Sequence, residues 1–245
     1  MLANVRDIQN RSRKFAEFAA KKGNEKSMVK AILFDLDGTL LDTIDDLTDS
    51  MNVALAALGF PTHSTAACKL FIGDGVRNFV WRALPESRRD DETVAAVIAR
   101  YRQAYTANWD NKTRPYEGIE PLLDALIARK FNMVVYSNKP DDFTQLAVAK
   151  LLPRWRFDAV VGARDGWPHK PDPAAALDLA NRLGVPPAQF VYVGDTNTDM
   201  QTAVAAGMVP AGALWGFRTA DELLTNGARV LLAHPMELLA VLDRP

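Results

Sequence analysis

Cysteine is almost absent from this chain, and long apolar runs are absent altogether. Cys68 is the single cysteine among 245 residues, so no intrachain disulfide can form, which suits a reducing compartment. We interpret Cys68 as a small buried side chain. No apolar run approaches the roughly 18 residues needed to span a bilayer, and the first residues lack the apolar segment of a signal peptide. These features predict a cytoplasmic protein with no membrane partner.

A surplus of charge of either sign is lacking too. The 29 Lys and Arg residues nearly balance the 30 Asp and Glu residues, and the formal net charge is -1. No overall field therefore favours a nucleic acid. The one basic stretch lies within residues 1–28, where aromatic side chains occur only at Phe15 and Phe18, so we expect no nucleic-acid partner. The sequence leaves open whether the protein is a monomer or a homodimer.

The first half of the chain contains two segments without strand patterns. Residues 1–28 form a basic N-terminal extension with near-helical spacing that Gly23-Asn24 would end. Residues 44–114 have apolar residues at the three-and-four spacing of helices. The helices predicted there span 44–58, 65–72, 76–83 and 91–109.

Short apolar strands alternate with helices from residue 115 onward. The predicted strands span 132–136, 157–161, 190–193, 210–214 and 230–232. The predicted helices span 119–130, 141–151, 173–183, 198–206, 219–226 and 235–242. With an earlier strand at 31–34, the alternation predicts an α/β fold, a doubly wound parallel sheet with a Rossmann-like core. We assign residues 29–43 and 115–245 to this core and residues 44–114 to an inserted helical cap domain.

Two aspartates follow the first apolar strand at once. Asp35 and Asp37 come after Ala31-Ile32-Leu33-Phe34, and Gly38 permits a sharp turn there. The carboxyl ends of strands are where open α/β sheets bind ligands. Two carboxylates so close repel each other unless a cation relieves them, and Mg²⁺ prefers such oxygens. The plainer alternative is a polar turn, for which Asp and Gly are common.

Three further polar clusters also follow predicted strands, namely Ser137-Asn138, Lys170 and Asp195 with Asp199. Each has a structural alternative: a loop that satisfies its own backbone, a solvated lysine, and helix N-caps. Together, however, they supply a cation site, a nucleophile, hydrogen-bond donors and a positive charge. Phosphoryl transfer needs these groups, because its catalysis is mostly positioning and charge neutralisation.

These four segments, in this order, resemble the motifs of the haloacid dehalogenase-like superfamily of phosphohydrolases. The resemblance covers about residues 29–245, and the helical insertion is similar to the cap of that family. Within the superfamily the chain resembles the phosphoglycolate phosphatases, because Gly73-Asp74-Gly75 is similar to their Gly-x-Gly specificity loop. Asp74 stands where Asn is usual, and a carboxylate there is expected to repel an anionic substrate.

The resemblance implies a Mg²⁺-dependent phosphatase that acts on 2-phosphoglycolate or a similar small phosphate ester. Asp35 would be the nucleophile and Asp37 the general acid and base. Mg²⁺ would be held by Asp35, the backbone carbonyl of Asp37 and Asp195, with Asp199 behind them. The residues implied to bind substrate are Thr39, Gly73, Gly75, Ser137, Asn138 and Lys170. Within the cap, Arg77, Asn78 and Trp81 are further specificity candidates, although Trp81 is expected to pack in the cap core.

Three other functions compete with this one. A dehalogenase needs no second acid at the position of Asp37. A sugar phosphomutase of the beta-phosphoglucomutase type shares the core and the cap, and Arg77 and Arg82 could bind its sugar. A non-catalytic module on the same fold would not need the full set of catalytic residue types. We expect the phosphatase, with the mutase as the alternative.

Deleting residues 1–27 is expected to leave catalysis intact, because all four motifs and the predicted first strand lie beyond Met28. The measurement compares phosphate release by the full chain and by the chain that begins at Met28. Loss of folded, active protein in the shorter chain would show that the extension is part of the fold.

Overall fold

The strand at the centre of the sheet is the one that precedes the first two aspartates. In the computed structural model, which describes residues 29–243, β1 spans Ala31–Phe34 and pairs in parallel with β4 (Asn132–Pro140) and β6 (Phe190–Gly194). The predicted helix within residues 1–28 lies outside the described residues. All four residues of β1 are buried, as expected for a strand covered on both faces.

Six parallel strands form the main sheet in the order β5-β4-β1-β6-β7-β8. The remaining strands of this sheet are β5 (Ala159–Ala163), β7 (Val209–Ala213) and β8 (Val230–Leu232). The helices that precede or connect these strands are α5 (Ile119–Ala128), α6 (Asp141–Leu151), α7 (Ala174–Leu183), α8 (Asn197–Ala205) and α9 (Ala220–Thr225), and α10 (Glu237–Leu242) follows the last strand. The predicted α/β class and parallel sheet are confirmed.

Alternate residues of β1 face two different cores. Ile32 and Phe34 belong to a cluster that includes residues of α5, α6 and α10, whereas Ala31 and Leu33 belong to a cluster with residues of α7 and α8. Successive side chains of a strand point to opposite faces of its sheet, so both faces are covered by helices. This is the doubly wound arrangement, which brings the carboxyl ends of the strands to one edge.

Four α-helices lie between the first strand and the rest of the sheet. They are α1 (Ile44–Ala57), α2 (Thr65–Phe71), α3 (Val76–Ala83) and α4 (Asp91–Asn108). All four begin where the sequence predicts and end within one residue of the expected position. No helix among residues 29–243 is both long and apolar enough to cross a membrane. The boundaries of the cap as a domain stay a prediction.

The chain passes between the core and the helical segment twice, and the two passages pair with each other as short strands. β2 (Leu41–Asp42) and β3 (Arg114–Pro115) form a two-stranded antiparallel ladder that the sequence pattern did not reveal. Pairs of residues are too short for a periodic signal. Arg114-Pro115 thus ends the helical segment and also pairs with the outgoing strand β2.

Asp46, a residue of α1, holds the end of the helical segment in place. Its side chain is buried and accepts hydrogen bonds from the backbone N–H of Lys112 at 2.9 Å, from the N–H of Thr113 at 2.8 Å and from the Thr113 hydroxyl at 2.7 Å. The start of the helical segment is thereby tied to its end. Buried donors of this kind are costly when they lose their acceptor.

Replacing Asp46 with Ala is expected to lower the free energy of unfolding by about 1–3 kcal/mol, because three donors lose their acceptor. Urea denaturation measures the change. Asp45→Ala is the matched control, since Asp45 lies on the same turn and is exposed, and it should change stability by less than about 0.5 kcal/mol. Equal effects of the two substitutions would contradict a structural role for the Asp46 carboxylate.

Candidate active site

Asp35 is the first residue after β1 and lies at the centre of the polar cluster. Its backbone N–H continues the ladder to Val193 at 2.9 Å, which fixes where the side chain projects. The residue is 7% exposed, and its Oδ1 lies 2.8 Å from the Nζ of Lys170. Apart from this ion pair, the buried Oδ1 has no hydrogen-bond partner among the described residues. An oxygen in this state has a coordination position to spare.

Asp195 follows β6 and lies beside Asp35 at the same edge of the sheet. Its Oδ1 accepts from the Thr39 hydroxyl at 2.8 Å, and its Oδ2 accepts from the backbone N–H of Phe217 at 2.8 Å. Gly38 has a φ of +84°, and a Cβ there would overlap the Asp195 carboxylate. Thr39 is fully buried and orients Asp195, while its contact with substrate stays a prediction.

Asp199 both caps a helix, which was the structural alternative, and contacts another residue of the polar cluster. It is the third residue of α8 and forms a capping box with Thr196, whose backbone N–H it binds through Oδ2 at 3.0 Å. Its Oδ1 pairs with the Nζ of Lys170 at 2.7 Å and accepts from the Tyr192 hydroxyl at 3.2 Å. Asp199 therefore caps the helix and holds the lysine. The alternative of a solvated Lys170 is wrong, because the residue is 4% exposed.

The electrostatics of this cluster favour a further positive charge. Burial raises the pKa of the Asp35 carboxyl to about 7, and the charge of Asp199 adds to the rise while Lys170 opposes it. Burial, with the charges of Asp35 and Asp199, also raises the pKa of Asp195 well above its usual value. For Lys170, burial lowers the pKa of the ammonium, but Asp199 and Asp35 outweigh burial and hold it above its usual value. The lysine is therefore cationic at neutral pH.

The donor set fits a hard divalent cation. Oxygens of Asp35, Asp195 and Asp199 lie within 4.8 Å of one another, and all three residues are buried. Asp199 already accepts hydrogen bonds at both oxygens, whereas Oδ1 of Asp35 has none among the described residues. Asp35 therefore offers the oxygen most open to a metal, and the choice of Asp195 as the second carboxylate ligand, with Asp199 behind it, stays a prediction. Carboxylate oxygens are the ligands that Mg²⁺ prefers.

Asp37 faces away from this cluster and pairs with a lysine that sequence reasoning missed as a site residue. Lys139 donates to both carboxylate oxygens of Asp37, at 3.0 and 3.1 Å, and to the hydroxyl of Tyr105 at 2.6 Å. The Lys139 side chain is 3% exposed. It directly follows Ser137-Asn138, so its position in the motif was the one available signal.

A cavity of about 80 Å³ lies between the sheet edge and the helical segment. Both aspartates of the first motif line it, and so do Gly73, Gly75 and Ser137. Asn138 lines it as well and joins two loops. Its side chain donates to the carbonyl of Gly73 at 3.0 Å and accepts from the N–H of Lys170 at 2.9 Å. Ser137 and Asn138 lie within β4 itself, which runs four residues beyond its predicted end.

Arg218 also holds the loop that contains Gly73, and no sequence signal identified it. Its guanidinium is buried and donates to the carbonyls of Lys69, Leu70 and Ile72 at the end of α2, the last at 2.6 Å. Phe217, whose N–H binds Asp195, is the neighbouring residue. The position of the cap loop thus depends on the same core segment that orients Asp195.

Three of the residues considered as specificity candidates make contacts outside the cavity and do not line it. Asp74 pairs with Arg82, so its charge is neutralised and the expected repulsion of an anion loses its basis. Arg77 pairs with Asp91 at the surface. Trp81 is 43% exposed beneath the guanidinium of Arg89, so the expectation that it packs in the cap core is wrong. Helical spacing placed Trp81 on the correct helix but did not fix which face is covered.

Comparison with known proteins agrees with this geometry. The family model of haloacid dehalogenase-like hydrolases matches residues 32–213. A phosphoglycolate phosphatase of Xylella fastidiosa is 35% identical over 207 residues, which are 84% of this chain and 90% of that protein. The chain belongs to the haloacid dehalogenase-like hydrolase family, as the motifs indicated.

Two solved structures extend the comparison. A Lactobacillus delbrueckii protein provisionally assigned as a phosphoglycolate phosphatase superposes with a TM-score of 0.83 at 31% identity, over 88% of this chain and 98% of that one. A Bacteroides vulgatus protein provisionally assigned as a beta-phosphoglucomutase gives 0.75 at 18% identity, over 97% and 98% of the two chains. The second likeness is one of fold alone.

Added Mg²⁺ is expected to stabilise the protein more at pH 8 than at pH 5.5. The raised pKa of Asp35, about 7, means that its contribution to folded stability is present below about pH 4 and is lost as the pH rises through 7. A cation needs the ionised carboxylates, so it offsets this loss only at the higher pH. With 10 mM Mg²⁺ we expect a rise in Tm on the order of 3 °C at pH 8 if Kd is near 1 mM.

The control for this measurement is Asp195→Asn, which removes one of the ionised oxygens. Each protein is compared with its own metal-free Tm, so a change in intrinsic stability cancels. Equal Mg²⁺ shifts at the two pH values, or a shift retained in Asp195→Asn, would contradict a metal site at this cluster.

Proposed function

We propose that this phosphatase hydrolyses a small phosphate monoester through an aspartyl-phosphate on Asp35, with Mg²⁺ as its cofactor. The observation that carries the proposal is the environment of Asp35. Its carboxylate is buried at the end of β1, lies 2.8 Å from Lys170, has an oxygen without a hydrogen bond among the described residues, and lines the cavity.

In the first half of the reaction, an Asp35 oxygen attacks phosphorus and the bond to the ester oxygen breaks. Carboxylates form covalent intermediates of this kind in other enzymes. Asp37 delivers a proton to the departing oxygen as general acid. Lys170 neutralises phosphoryl charge, and Ser137 and Asn138 are the hydroxyl and amide available to the phosphoryl oxygens from the end of β4.

In the second half, Asp37 takes a proton from a water molecule that attacks the phosphorus of the aspartyl-phosphate. The bond to Asp35 breaks, inorganic phosphate leaves, and both aspartates regain their starting states. Asp37 lines the cavity with its side chain 13% exposed, so water can reach it. The same residue thus acts as acid and then as base.

Asp35, Asp195 and the backbone carbonyl of Asp37 are the groups that would hold Mg²⁺. The cation would supply charge neutralisation at the phosphoryl group and relieve the repulsion between the buried carboxylates. Asp199 orients Lys170 from behind, because it binds the same ammonium at 2.7 Å.

We propose 2-phosphoglycolate, or a similar small phosphate ester, as the substrate. The curated relatives carry that activity in their names, and the cavity of about 80 Å³ has room for a small leaving group. The mutase alternative would need sugar-binding groups in the cap. Arg77 and Arg82, the two candidates, pair with Asp91 and Asp74 instead and do not line the cavity.

Replacing Asp35 with Asn is expected to lower turnover by at least about 1,000-fold with the fold intact, because the nucleophile is removed while its shape is kept. Phosphate release from 2-phosphoglycolate and from a panel of sugar and nucleotide monophosphates, with Mg²⁺ and with EDTA, measures the effect. Circular dichroism verifies the fold, and Asp45→Asn on the exposed face of α1 is the matched control.

Three results would contradict parts of this proposal. Near-normal turnover by Asp35→Asn would refute the nucleophile assignment. Full activity in EDTA would refute the need for a metal. Isomerisation of a hexose phosphate without free phosphate would move the assignment to a mutase.

A further inference from the structure

The wall of the cavity beyond the two aspartates is mainly apolar. It is lined by Leu47, Ile72, Val76, Phe79, Ile98 and Phe143. A substrate with several hydroxyl groups would leave them without partners against these side chains, which is costly. The wall therefore favours a leaving group with few polar atoms, each recognised by a specific residue.

Two cationic residues line the cavity among residues 29–243, and they differ sharply in environment. Arg102 lies at the rim, 58% exposed, and pairs with Asp142, so its interactions are screened by water. Lys139 is buried and its ammonium also lies 4.7 Å from the centre of the Tyr105 ring. Lys139 pairs with Asp37, as Arg102 does with Asp142, but burial in an apolar wall leaves its attraction for a further anion less screened than that of the exposed Arg102.

The position of Lys139 relative to Asp37 determines which part of a substrate it can reach. Asp37 must contact the ester oxygen to protonate it, and Lys139 donates to both Asp37 oxygens at 3.0 and 3.1 Å. The ammonium therefore lies beside the leaving group and away from the phosphoryl group. In 2-phosphoglycolate one methylene group separates the ester oxygen from a carboxylate, so that carboxylate falls next to Lys139.

Tyr105 completes the same corner of the cavity. Its hydroxyl accepts the third N–H of Lys139 at 2.6 Å, which leaves its own O–H free to donate. The ring stacks on Tyr101, with centroids 5.6 Å apart, and meets the edge of Phe143 at 4.9 Å. These contacts hold the hydroxyl in place beside the ammonium. The three N–H groups of Lys139 are already used, so a leaving-group anion there would meet the O–H donor of Tyr105 and the positive charge of Lys139.

We propose that Lys139 and Tyr105 bind a carboxylate on the leaving group and thereby select phosphate esters of small hydroxy acids. This specificity rests on the proposed phosphatase function and adds to it the residues that recognise the leaving group. Lys170 serves the phosphoryl group, and Lys139 serves the group that departs.

The first test uses the unaltered enzyme and three substrates of similar size. They are 2-phosphoglycolate, its uncharged amide and ethyl phosphate, each assayed with Mg²⁺. We expect kcat/KM for 2-phosphoglycolate to exceed that for the other two by roughly 30-fold or more, as for a desolvated charge pair. Equal values for the three esters would leave the phosphatase chemistry intact and overturn the inference.

The second test follows the ratio of kcat/KM for 2-phosphoglycolate to that for ethyl phosphate in Lys139→Met. Because Lys139 also contacts Asp37, the substitution lowers turnover of both esters, and this common factor cancels in the ratio. We expect the ratio to collapse by roughly 30-fold. Lys150→Met is the matched control, since Lys150 is 57% exposed and pairs with Asp110 outside the cavity.

Tyr105→Phe keeps the proposal testable if Lys139→Met does not fold, and we expect it to lower the same ratio about fivefold. An unchanged ratio in the folded variants, with both esters slowed equally, would show that Lys139 only positions Asp37. Absence of Mg²⁺-dependent phosphate release from all three esters would instead overturn the proposed function, and the inference with it.

Discussion

The buried ion pairs of Lys170 are the interaction on which the rest of the site depends. Asp35, Asp195 and Asp199 are brought together with almost no exposure to water, and Lys170 is the cation that contacts two of them. Three carboxylates against one ammonium leave an excess of negative charge. Burial raises the pKa values of Asp35 and Asp195, the excess of negative charge adds to the rise, and a bound cation would oppose it.

The fold keeps these charges together through contacts that have no chemical role of their own. β1 and β6 are adjacent in the sheet, so the aspartates that follow them are neighbours. Asn138 connects the Lys170 loop with the glycine loop, and Arg218 holds the end of α2. The helical segment is thus attached to the core segments that orient Asp195 and Lys170. A shift of the helical segment would therefore disturb the polar cluster as well as open the cavity.

The sequence alone was sufficient to predict those site residues whose position follows directly from the end of a strand. An apolar run that stops at Asp35 or Asp195 places a carboxylate at the sheet edge whatever the rest of the chain does. The contacts of Tyr105 and Arg218 could not be predicted, because they join residues distant in sequence and leave no periodic trace. The prediction that Trp81 is buried was wrong for a related reason. Helical spacing identifies the residues that share one face of a helix, but only tertiary packing decides whether that face is covered.

The two aspartates of the first motif end in separate electrostatic environments. Asp35 pairs with Lys170 and faces two further carboxylates, whereas Asp37 pairs with Lys139 among aromatic side chains. Under the proposed function, one motif would serve both ends of a phosphate ester, with a different buried lysine for each end. Because Lys139 lies at the end of β4 and Lys170 lies in a separate loop, the groups around Lys139 could change with substrate while those around Lys170 stay as phosphoryl transfer requires. This separation would allow one chemical core to serve different leaving groups.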